Sequence, residues 1–499
     1  MRTLRDVIDH HAELRPDAPF LIAPEPSVTV TYGELRQKCR ALEALLQASG
    51  VGAGEVVSFM LPNGIAAATL FVGAMYSGRV VSPLNLIAQD ALLGHVLAHS
   101  DTRMVFASAD LSDRIAELTG KCGRSVAIRV TDVDDPGFVD EPSTPAPIEA
   151  ESPALLMYTS GTTGVPKGAL LSHRNLIHAA EAVVAGHHLT TSDRVLSSLP
   201  LYHVNGQCIA TLSPLLSGGS AIMPHRFSAS QWWRLVERYQ PTWLNMVPTI
   251  VSYLLSGPDL TAQQSAACRA LRFGRSASAP LPPEQHRAFE MRFGVSIVEA
   301  MGLTECASVA FANPLDRAQR KYGSVGLPLG VEARVVDTRG NVIGDGQRGE
   351  IQVRGANVMQ GYYKAADLTA RTITADGWLA TGDLGHRDDD GFYFVTGRLK
   401  ELIIKGGENI APREIDEALL KHPAVLEAAA VGVSDPHYGQ DIAACVVLKR
   451  GEVCAEDALR EHCLRELGRY KTPTILRFVD DLPKGPSGKV QRLKLLDLL

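Results

Sequence analysis

The stretch "YTSGTTGVPKG" at positions 158 to 168 combines glycines, hydroxyl side chains and a lysine in a short span. Glycines let backbone amides approach a ligand closely, hydroxyls add hydrogen-bond donors, and a lysine supplies positive charge, so the combination suits phosphate oxygens. The Walker A spacing fails, because Lys167 is followed by Gly168. A flexible surface loop is the alternative. The candidate phosphate-binding residues are Thr159, Ser160, Gly161, Thr162, Thr163, Gly164 and Lys167.

Apolar patterns on both sides of this loop predict the elements that position it. "PALLMY" before the loop reads as a buried strand, and "GALLSHRNLIHAAEAVV" after it reads as a strand followed by a helix. Further upstream, a helical pattern in "YGELRQKCRALEALLQASGV" precedes the strand-like segments "EVVSFML" and "RVVSPLN". The alternation predicts an α/β fold, with the loop at a strand end, where such folds bind ligands.

The chain length and two changes of pattern predict the domain organisation. At 499 residues, the chain is too long for a single core. Short strands separated by Asp and Gly turns at 331 to 396 predict a small β-rich subregion, either a barrel or a short sheet. A compact α+β pattern follows "GRLKE". We therefore expect a large domain of layered mixed sheets and helices at 1–398 and a small α+β domain at 399–499.

The composition excludes several classes of protein. Apolar residues make up 45% and charged residues 21% of the chain, and the net charge is −6 without any Lys/Arg run, so we expect no nucleic-acid partner. The amino terminus lacks a signal-peptide core and no run of 18 apolar residues occurs, so we expect no membrane association. Eight scattered cysteines indicate reduced thiols and a cytoplasmic location. A homodimer is expected on general grounds alone.

The motifs occur in a fixed order from "TYGEL" to "SGKVQR", and they resemble those of the adenylate-forming superfamily of acyl-CoA synthetases, firefly luciferases and peptide-synthetase adenylation domains. The resemblance covers nearly the whole chain. It implies that ATP, with Mg²⁺, activates a small carboxylic acid as an acyl-adenylate, and that coenzyme A then accepts the acyl group. It also implies that the small carboxy-terminal domain is mobile. The "GGEN" segment is more similar to CoA ligases than to luciferases or peptide-synthetase modules.

The resemblance also implies roles for individual nucleotide-binding residues. The glycine loop would hold the β- and γ-phosphates of ATP. "EAMGLTE" would place Thr304 on phosphate and Glu305 on Mg²⁺, with Gly302 beside the nucleotide. Met301 stands where the family commonly has an aromatic residue against adenine, and a polarizable thioether can cover a purine face. In "ATGD" and "GRLKE", the ribose-binding residues would be Asp383 and Arg398.

The same resemblance implies catalytic, hinge and tunnel residues. His203 in "LPLYHVNG" would lie beside the carboxylate pocket, and Lys489 would bridge the substrate carboxylate and the α-phosphate. Lys400 would be the hinge, while Gly406 and Gly407 would face the pantetheine tunnel. Taken singly, each motif has an ordinary alternative, such as a helix cap, a turn or a solvated lysine.

The predicted acyl pocket contains one unexpected charge. Arg275 in "RFGRSASAP" is out of place in an apolar pocket, because an unpaired buried guanidinium is costly. Pointing inward, it would require a second anion on the substrate, as in oxalate, malonate or sulfoacetate. The alternative is an outward Arg275 paired with a surface acid. The predicted pocket residues are His203, Asn205, Gly206, Arg275, Ser276, Ala277 and Ser308.

The pocket residues narrow the choice of acid but leave alternatives. The surrounding motifs most resemble the oxalate–CoA ligase branch, yet Asn205 and Ser308 replace the second pocket histidines expected there. A larger or differently shaped anion is therefore favoured over oxalate, and sulfoacetate is our preferred candidate. The alternatives are an adenylation enzyme that loads a carrier protein, a CoA ligase for a medium-chain or aromatic acid, and a non-catalytic nucleotide sensor.

Overall fold

The structure is a computed structural model that describes residues 3–139, 144–159, 165–485 and 490–499. Within these ranges the chain is α/β, as the sequence predicts. The loop residues Ser160, Gly161, Thr162, Thr163 and Gly164 and the predicted catalytic Lys489 lie outside the described residues. No helix in the described ranges has the length and apolar character needed to cross a membrane.

Short strands account for most of the framework. In chain order they are β1 Pro19–Ala23, β2 Val28–Thr31, β3 Val56–Met60, β4 Val80–Pro83, β5 Met104–Ala107, β6 Ala127–Val130, β7 Pro153–Thr159, β8 Lys167–Ser172, β9 Arg194–Leu196, β10 Ser220–Ile222, β11 Trp243–Met246, β12 Phe273–Ser276, β13 Ile297–Met301, β14 Phe311–Ala312, β15 Leu327–Pro328, β16 Glu332–Val336, β17 Gly349–Arg354, β18 Gly361–Tyr362, β19 Leu379–Arg387, β20 Tyr393–Arg398, β21 Ile403–Lys405, β22 Glu408–Ile410, β23 Val425–Asp435, β24 Gly439–Leu448 and β25 Ile475–Phe478.

The helices cover the faces of the sheets. The α-helices are α1 Leu4–Leu14, α2 Tyr32–Ala48, α3 Ile65–Tyr76, α4 Asp90–His99, α5 Ser112–Gly120, α6 His173–Gly186, α7 Ser213–Ser217, α8 Ala229–Tyr239, α9 Pro248–Leu255, α10 Ala262–Cys268, α11 Pro283–Phe293, α12 Ala366–Thr372, α13 Pro412–Leu420 and α14 Glu456–Lys471. A π-helix spans Asn205–Leu212, and short 3₁₀ helices span Thr304–Cys306, Arg317–Gln319, Leu399–Glu401 and Arg492–Leu498.

Two large mixed sheets form the amino-terminal part. One has nine strands in the order β15-β14-β13-β12-β11-β9-β10-β1-β2, and the other has seven in the order β18-β8-β7-β4-β3-β5-β6. The largest apolar cluster draws on both sheets together with α3, α6 and the π-helix, so the sheets share one core. The opposite face of the nine-stranded sheet packs against α8, α9 and α11. Residues from the two faces of this sheet therefore occupy different environments.

Two smaller sheets complete the chain. The β-rich subregion predicted at 331 to 396 is a four-stranded antiparallel sheet in the order β16-β17-β19-β20. Strands β21 to β25 form the last sheet, which has apolar clusters of its own with α13 and α14. Helix α13 begins at Pro412, a residue suited to the first helical position because its missing N–H has no intrahelical partner. The boundary between 398 and 399 remains a prediction.

Candidate active site

The predicted phosphate loop connects two strands that pair side by side. Thr159 ends β7 and Lys167 begins β8, and their Cα atoms are partners in the antiparallel register. The ammonium group of Lys167 lies 5.4 Å from the centre of the Tyr362 ring. Burial and then the nearby positive charge of Lys400 lower the pKa of Lys167, whereas Glu305 opposes the shift. Lys400, the predicted hinge residue, thus lies close enough to Lys167 for its positive charge to lower the pKa of Lys167.

Glu305, the predicted Mg²⁺ ligand, is held in place by a tyrosine. It belongs to the 3₁₀ helix that begins at Thr304, and its Oε1 accepts a hydrogen bond of 2.7 Å from the hydroxyl of Tyr362. Its backbone carbonyl accepts from the amide of Met359 at 2.9 Å. A carboxylate beside a threonine hydroxyl is a hard oxygen donor set, which fits Mg²⁺. Tyr362 thereby connects Glu305 to Lys167.

A cavity of about 260 Å³ reaches Leu303, two residues before Glu305. Met301, Gly302, Asp383 and Arg398, for which nucleotide contacts are predicted, are among the residues that line it, and their role toward ATP remains a prediction. Asp383 and Arg398 are partners across β19 and β20, and Nε of Arg398 lies 2.7 Å from Oδ1 of Asp383. The aspartate is buried, while the arginine remains partly exposed. The cavity wall therefore contains an ion pair, formed by the carboxylate of Asp383 and the guanidinium of Arg398.

Gly302 is required by close backbone packing. A Cβ atom at this position would lie 2.0 Å from the carbonyl oxygen of Ser308. Ala307 and Ser308 adopt positive φ angles of 50° and 71°, a conformation that is uncommon for residues other than glycine. The amide of Asn357 stabilises this turn by donating to the carbonyls on either side of it, those of Cys306 and Val309. Strained backbone of this kind often occurs at ligand sites.

Glu299 is one of several acids that line the cavity, and the sequence did not single it out. It lines the cavity near Met301, and its Oε1 accepts a hydrogen bond of 3.2 Å from the amide of Leu281. Within the described residues, its buried Oε2 has no hydrogen-bond partner. Burial raises the pKa of Glu299 to about 7, although the charge of Arg413 opposes that shift. Its position two residues before Met301 was the available sequence signal.

Arg275 points into the protein interior. The residue is 2% exposed, and Nη1 of its guanidinium donates a 3.4 Å hydrogen bond to Oδ1 of Asn205. Across the described ranges, no acidic side chain pairs with it, and its Nε has no partner. Burial lowers the pKa of Arg275 to about 9. The sequence-based alternative, an outward Arg275 paired with a surface acid, therefore does not describe this structure.

Asn205 links Arg275 to the cavity wall. Its Nδ2 donates to Oγ of Ser278 at 3.1 Å, and Ser278 lines the same cavity as Met301. Asn205 begins the π-helix that contains Gly206, and π-helices are frequent at functional sites. A Cβ atom at Gly206 would lie 2.5 Å from the carbonyl of Pro200. The guanidinium of Arg275 thus lies behind the cavity wall, and the side chain of Asn205 separates it from Ser278.

The other predicted pocket residues do not all lie on the same side of the sheet as Arg275. Side chains alternate along β12, so Ser276 and Arg275 project from opposite faces of the sheet. Ser276 shares its face with Gly274, which lies close to Met246. The structure therefore does not bring Ser276 to Arg275. Ala277 follows it and is buried. His203 precedes Asn205, and burial lowers its pKa to about 4, so its imidazole is neutral at pH 7.

The predicted tunnel residues lie in the last sheet. Gly406 and Gly407, with φ angles of 55° and 86°, form the turn between β21 and β22. The turn contacts Tyr438 and Tyr470 of the same part of the chain. Positive φ favours glycine at both positions. Their role toward CoA remains a prediction.

Asn245 is a further residue that the sequence analysis did not identify. Its amide donates a hydrogen bond of 3.0 Å to Oδ1 of Asn205, the same atom that accepts from Arg275. Asn245 is fully buried in β11. An asparagine inside the apolar strand "WLNM" was the available signal, because buried polar groups are costly unless they are hydrogen-bonded.

Sequence comparisons find relatives that match nearly the whole chain. The family model described as AMP-binding enzyme matches residues 8–363, and the model of the AMP-binding enzyme C-terminal domain matches 414–489. The sulfoacetate–CoA ligase of Cupriavidus necator is 53% identical, covering 99% of this chain and 97% of that protein. The oxalate–CoA ligase of Arabidopsis thaliana is 32% identical, covering 98% and 97%.

Solved structures show the same fold. The ATP-bound form of MatB from Rhodopseudomonas palustris superimposes with a TM-score of 0.91 at 30% identity, covering 100% of this chain and 99% of that one. The match extends through the small carboxy-terminal part, so it includes both the cavity and the last sheet. The chain therefore belongs to the AMP-binding enzyme family, within the adenylate-forming superfamily of acyl-CoA synthetases.

Proposed function

We propose that this enzyme is an ATP-dependent acid–thiol ligase that converts a short carboxylic acid with a second anionic group to its acyl-CoA. Sulfoacetate is the preferred substrate, ahead of malonate and oxalate. The reaction passes through an acyl-adenylate and releases AMP and pyrophosphate. The proposal agrees with the names of two relatives, a sulfoacetate–CoA ligase and an oxalate–CoA ligase. We further propose a cytoplasmic location and, on general grounds alone, a homodimer.

The observation that carries the choice of acid is the unbalanced charge of Arg275. A buried guanidinium without an acidic partner is expensive, since burial removes its hydration without returning a counter-charge. A sulfonate or second carboxylate would supply that charge and accept the donors that now lack a partner. A monoanionic or long apolar acid would leave the charge uncompensated. The geometry thus favours a substrate with anions at both ends.

The first half-reaction joins two anions, so catalysis requires charge neutralisation and positioning. An oxygen of the substrate carboxylate attacks the α-phosphorus of ATP, and the bond to pyrophosphate breaks. We assign Lys167 to the charge of the departing pyrophosphate, and Asp383 with Arg398 to the ribose. Lys489 would bridge the reacting oxygens. Mg²⁺, when bound at Glu305, supplies positive charge to the phosphate oxygens.

The second half-reaction transfers the acyl group to CoA. The thiolate attacks the acyl carbonyl, and AMP leaves with the bonding electrons. By resemblance, the carboxy-terminal domain rotates about Lys400 between the two halves, withdrawing Lys489 and bringing Gly406 and Gly407 to the tunnel. His203 would lie beside the carboxylate as a neutral imidazole, because burial keeps its pKa near 4. A neutral side chain there would not neutralise the attacking carboxylate.

The proposal is tested by following pyrophosphate release from ATP and Mg²⁺ with a panel of acids. The panel contains sulfoacetate, malonate, oxalate, acetate, butyrate, benzoate and octanoate, each with and without CoA. We expect turnover to be fastest with the short dianions and to require CoA. Preference for benzoate or octanoate would instead support a ligase for aromatic or medium-chain acids. Adenylate formation with no CoA-dependent turnover would support loading of a carrier protein.

A further inference from the structure

We infer that Asn245 is a positioning residue for the second anion of the substrate, acting on Arg275 through Asn205. The inference rests on the proposed function and extends it to a residue outside the cavity wall. Asn245 is fully buried and stands behind Ser278 and Asn205, as seen from the cavity. It therefore influences the acid without touching it.

Strand register brings the two side chains together. Asn245 on β11 and Arg275 on β12 are Cα partners in a parallel pair. Partnered residues on adjacent strands project from the same face of a sheet. Trp243 and Phe273, two residues earlier on each strand, stack with ring centroids 5.5 Å apart on that face. The polar pair thus extends an aromatic pair toward the carboxyl ends of the strands.

Hydrogen bonds fix the orientation of the intervening amide. Oδ1 of Asn205 accepts from Asn245 at 3.0 Å and from Arg275 at 3.4 Å, while its Nδ2 donates to Ser278 at 3.1 Å. Turning the Asn205 amide over would place its N–H groups against the donors of Asn245 and Arg275. The donor from Asn245 therefore keeps a carbonyl oxygen, and not an N–H group, facing the guanidinium.

The charge state of the cluster gives Asn245 a second effect. The side chains in this network are two amides and the hydroxyls of Ser197 and Ser278, none of which neutralises Arg275. His187 responds to the arginine charge but is neutral, because burial and then Arg275 lower its pKa to about 3. An acidic side chain at position 245 would neutralise the guanidinium of Arg275, whereas the amide of Asn245 carries no charge. The positive charge remains available to the substrate.

The variant Asn245→Leu removes the donor while approximately keeping the side-chain volume. We compare sulfoacetate with 3,3-dimethylbutyrate, in which an uncharged tert-butyl group replaces the sulfonate. We expect the KM for sulfoacetate to rise about tenfold, the scale of losing the hydrogen bond between Asn205 and the charged guanidinium, which Asn245 orients. Both kcat values should change less than about twofold, because a loss of uniform binding raises KM alone. The KM for the uncharged analogue and the KM for ATP should also change less than about twofold, because neither ligand uses the charge of Arg275 in this account.

Ser197→Ala is the matched control, since it removes the other partner of Asn245, which lies 3.4 Å away. It should leave the ratio of the two acid KM values unchanged within about twofold. Asn245→Asp is a second variant, in case the leucine destabilises the fold. It keeps the size but places a carboxylate beside Arg275, so the KM for sulfoacetate should rise at least as much as in Asn245→Leu.

The outcomes separate this inference from the proposed function. Equal losses for both acids in Asn245→Leu and Asn245→Asp would show a merely structural role and overturn the inference. An unchanged KM ratio in these variants, combined with a lost preference in Arg275→Met, would overturn it while leaving the proposed function in place. A wild-type enzyme that uses 3,3-dimethylbutyrate as well as sulfoacetate would instead contradict the proposed function.

Discussion

Arg275 and Asn205 are joined by a 3.4 Å hydrogen bond from the guanidinium Nη1 to the amide Oδ1, in a region that the described acids do not reach. The contact connects a buried charge to a residue of the cavity wall, because Asn205 also bonds Ser278. Buried without a counter-charge, the guanidinium destabilises the folded protein, and under the proposed function it recognises the second anion of the substrate. We therefore expect substitution of Arg275 to have opposite effects on activity and on stability.

Replacing Arg275 with methionine should change the choice of acid. Removing one member of a buried, charge-assisted contact costs roughly 2–5 kcal/mol, so we expect kcat/KM for sulfoacetate to fall about 100-fold or more. The kcat/KM for 3,3-dimethylbutyrate should stay constant or rise. Steady-state acyl-CoA formation measures both values. The exposed Arg269→Met is the control, and a parallel loss with both acids would contradict the prediction.

The same substitution should stabilise the ligand-free protein. Methionine removes an unpaired buried charge, and apolar replacement of buried charged groups can stabilise proteins by about 1–4 kcal/mol. We expect Arg275→Met to melt at a higher temperature than wild type in the absence of substrate. Adding sulfoacetate should raise the melting temperature of wild type only. Scanning calorimetry with and without the acid checks this, and a lower melting temperature for the variant would oppose it.

Sequence patterns predicted the α/β framework because the strands around the loop are apolar runs bounded by turn residues. The buried β7 and β8 and the helix start at Pro412 are examples. Met301, Asp383 and Arg398, to which the family resemblance assigns nucleotide contacts, line one cavity, and their binding role stays a prediction. The positive φ angles of Ala307 and Ser308 were not predictable, since neither residue type favours them.

Tertiary contacts explain why Ser276 lies apart from Arg275 and why Asn245 was not predicted. Ser276 follows Arg275 directly, but strand alternation sends the two side chains to opposite faces. Strand register brings Asn245 beside Arg275, although about 30 residues of chain separate the two. The π-helix at Asn205–Leu212 also lacks a sequence signal. The polar network around Arg275 therefore required the structure, whereas its unusual charge was visible in the sequence.

Tyr362→Phe should weaken the response to Mg²⁺. The phenylalanine keeps the ring beside Lys167 but removes the hydroxyl that donates to Glu305 at 2.7 Å. Residues that orient a metal ligand typically contribute about 10–100-fold to metal affinity. We expect the Mg²⁺ concentration for half-maximal pyrophosphate release to rise in that range. Tyr363→Phe, which removes a hydrogen bond to Asp101, is the control and should leave it unchanged.

Glu299→Gln should change how stability depends on pH. Folded Glu299 keeps its proton up to about pH 7, whereas an unfolded glutamate loses it near about 4.3. Between these values the native state binds more protons, so this group's contribution to stability falls as pH rises. The melting temperature of Glu299→Gln should therefore exceed that of wild type by an amount that grows from about pH 4.3 to about pH 7 and then levels off. For the control Glu284→Gln, at an exposed position, the difference in melting temperature from wild type should stay constant over the same pH range.

Lys489→Ala should separate the two half-reactions. If this lysine bridges the reacting oxygens only during adenylation, pyrophosphate release should fall about 100-fold or more, the scale of a lost electrostatic contact in the transition state. Thioester formation from a supplied acyl-adenylate should change by less than about fivefold, because the transferred acyl group no longer carries the carboxylate charge. The exposed Lys494→Ala is the control, and equal losses in both assays would contradict the assignment.

Competition between acids tests the central claim most directly. Equal concentrations of sulfoacetate, malonate, oxalate, acetate, 3,3-dimethylbutyrate, benzoate and octanoate are mixed with ATP, Mg²⁺, CoA and the enzyme. Mass spectrometry then identifies the acyl-CoA formed by wild type and by Arg275→Met. We predict that wild type forms chiefly sulfoacetyl-CoA and that the variant loses this preference. A wild-type product from benzoate, octanoate or 3,3-dimethylbutyrate would contradict the assignment of Arg275 to a second substrate anion.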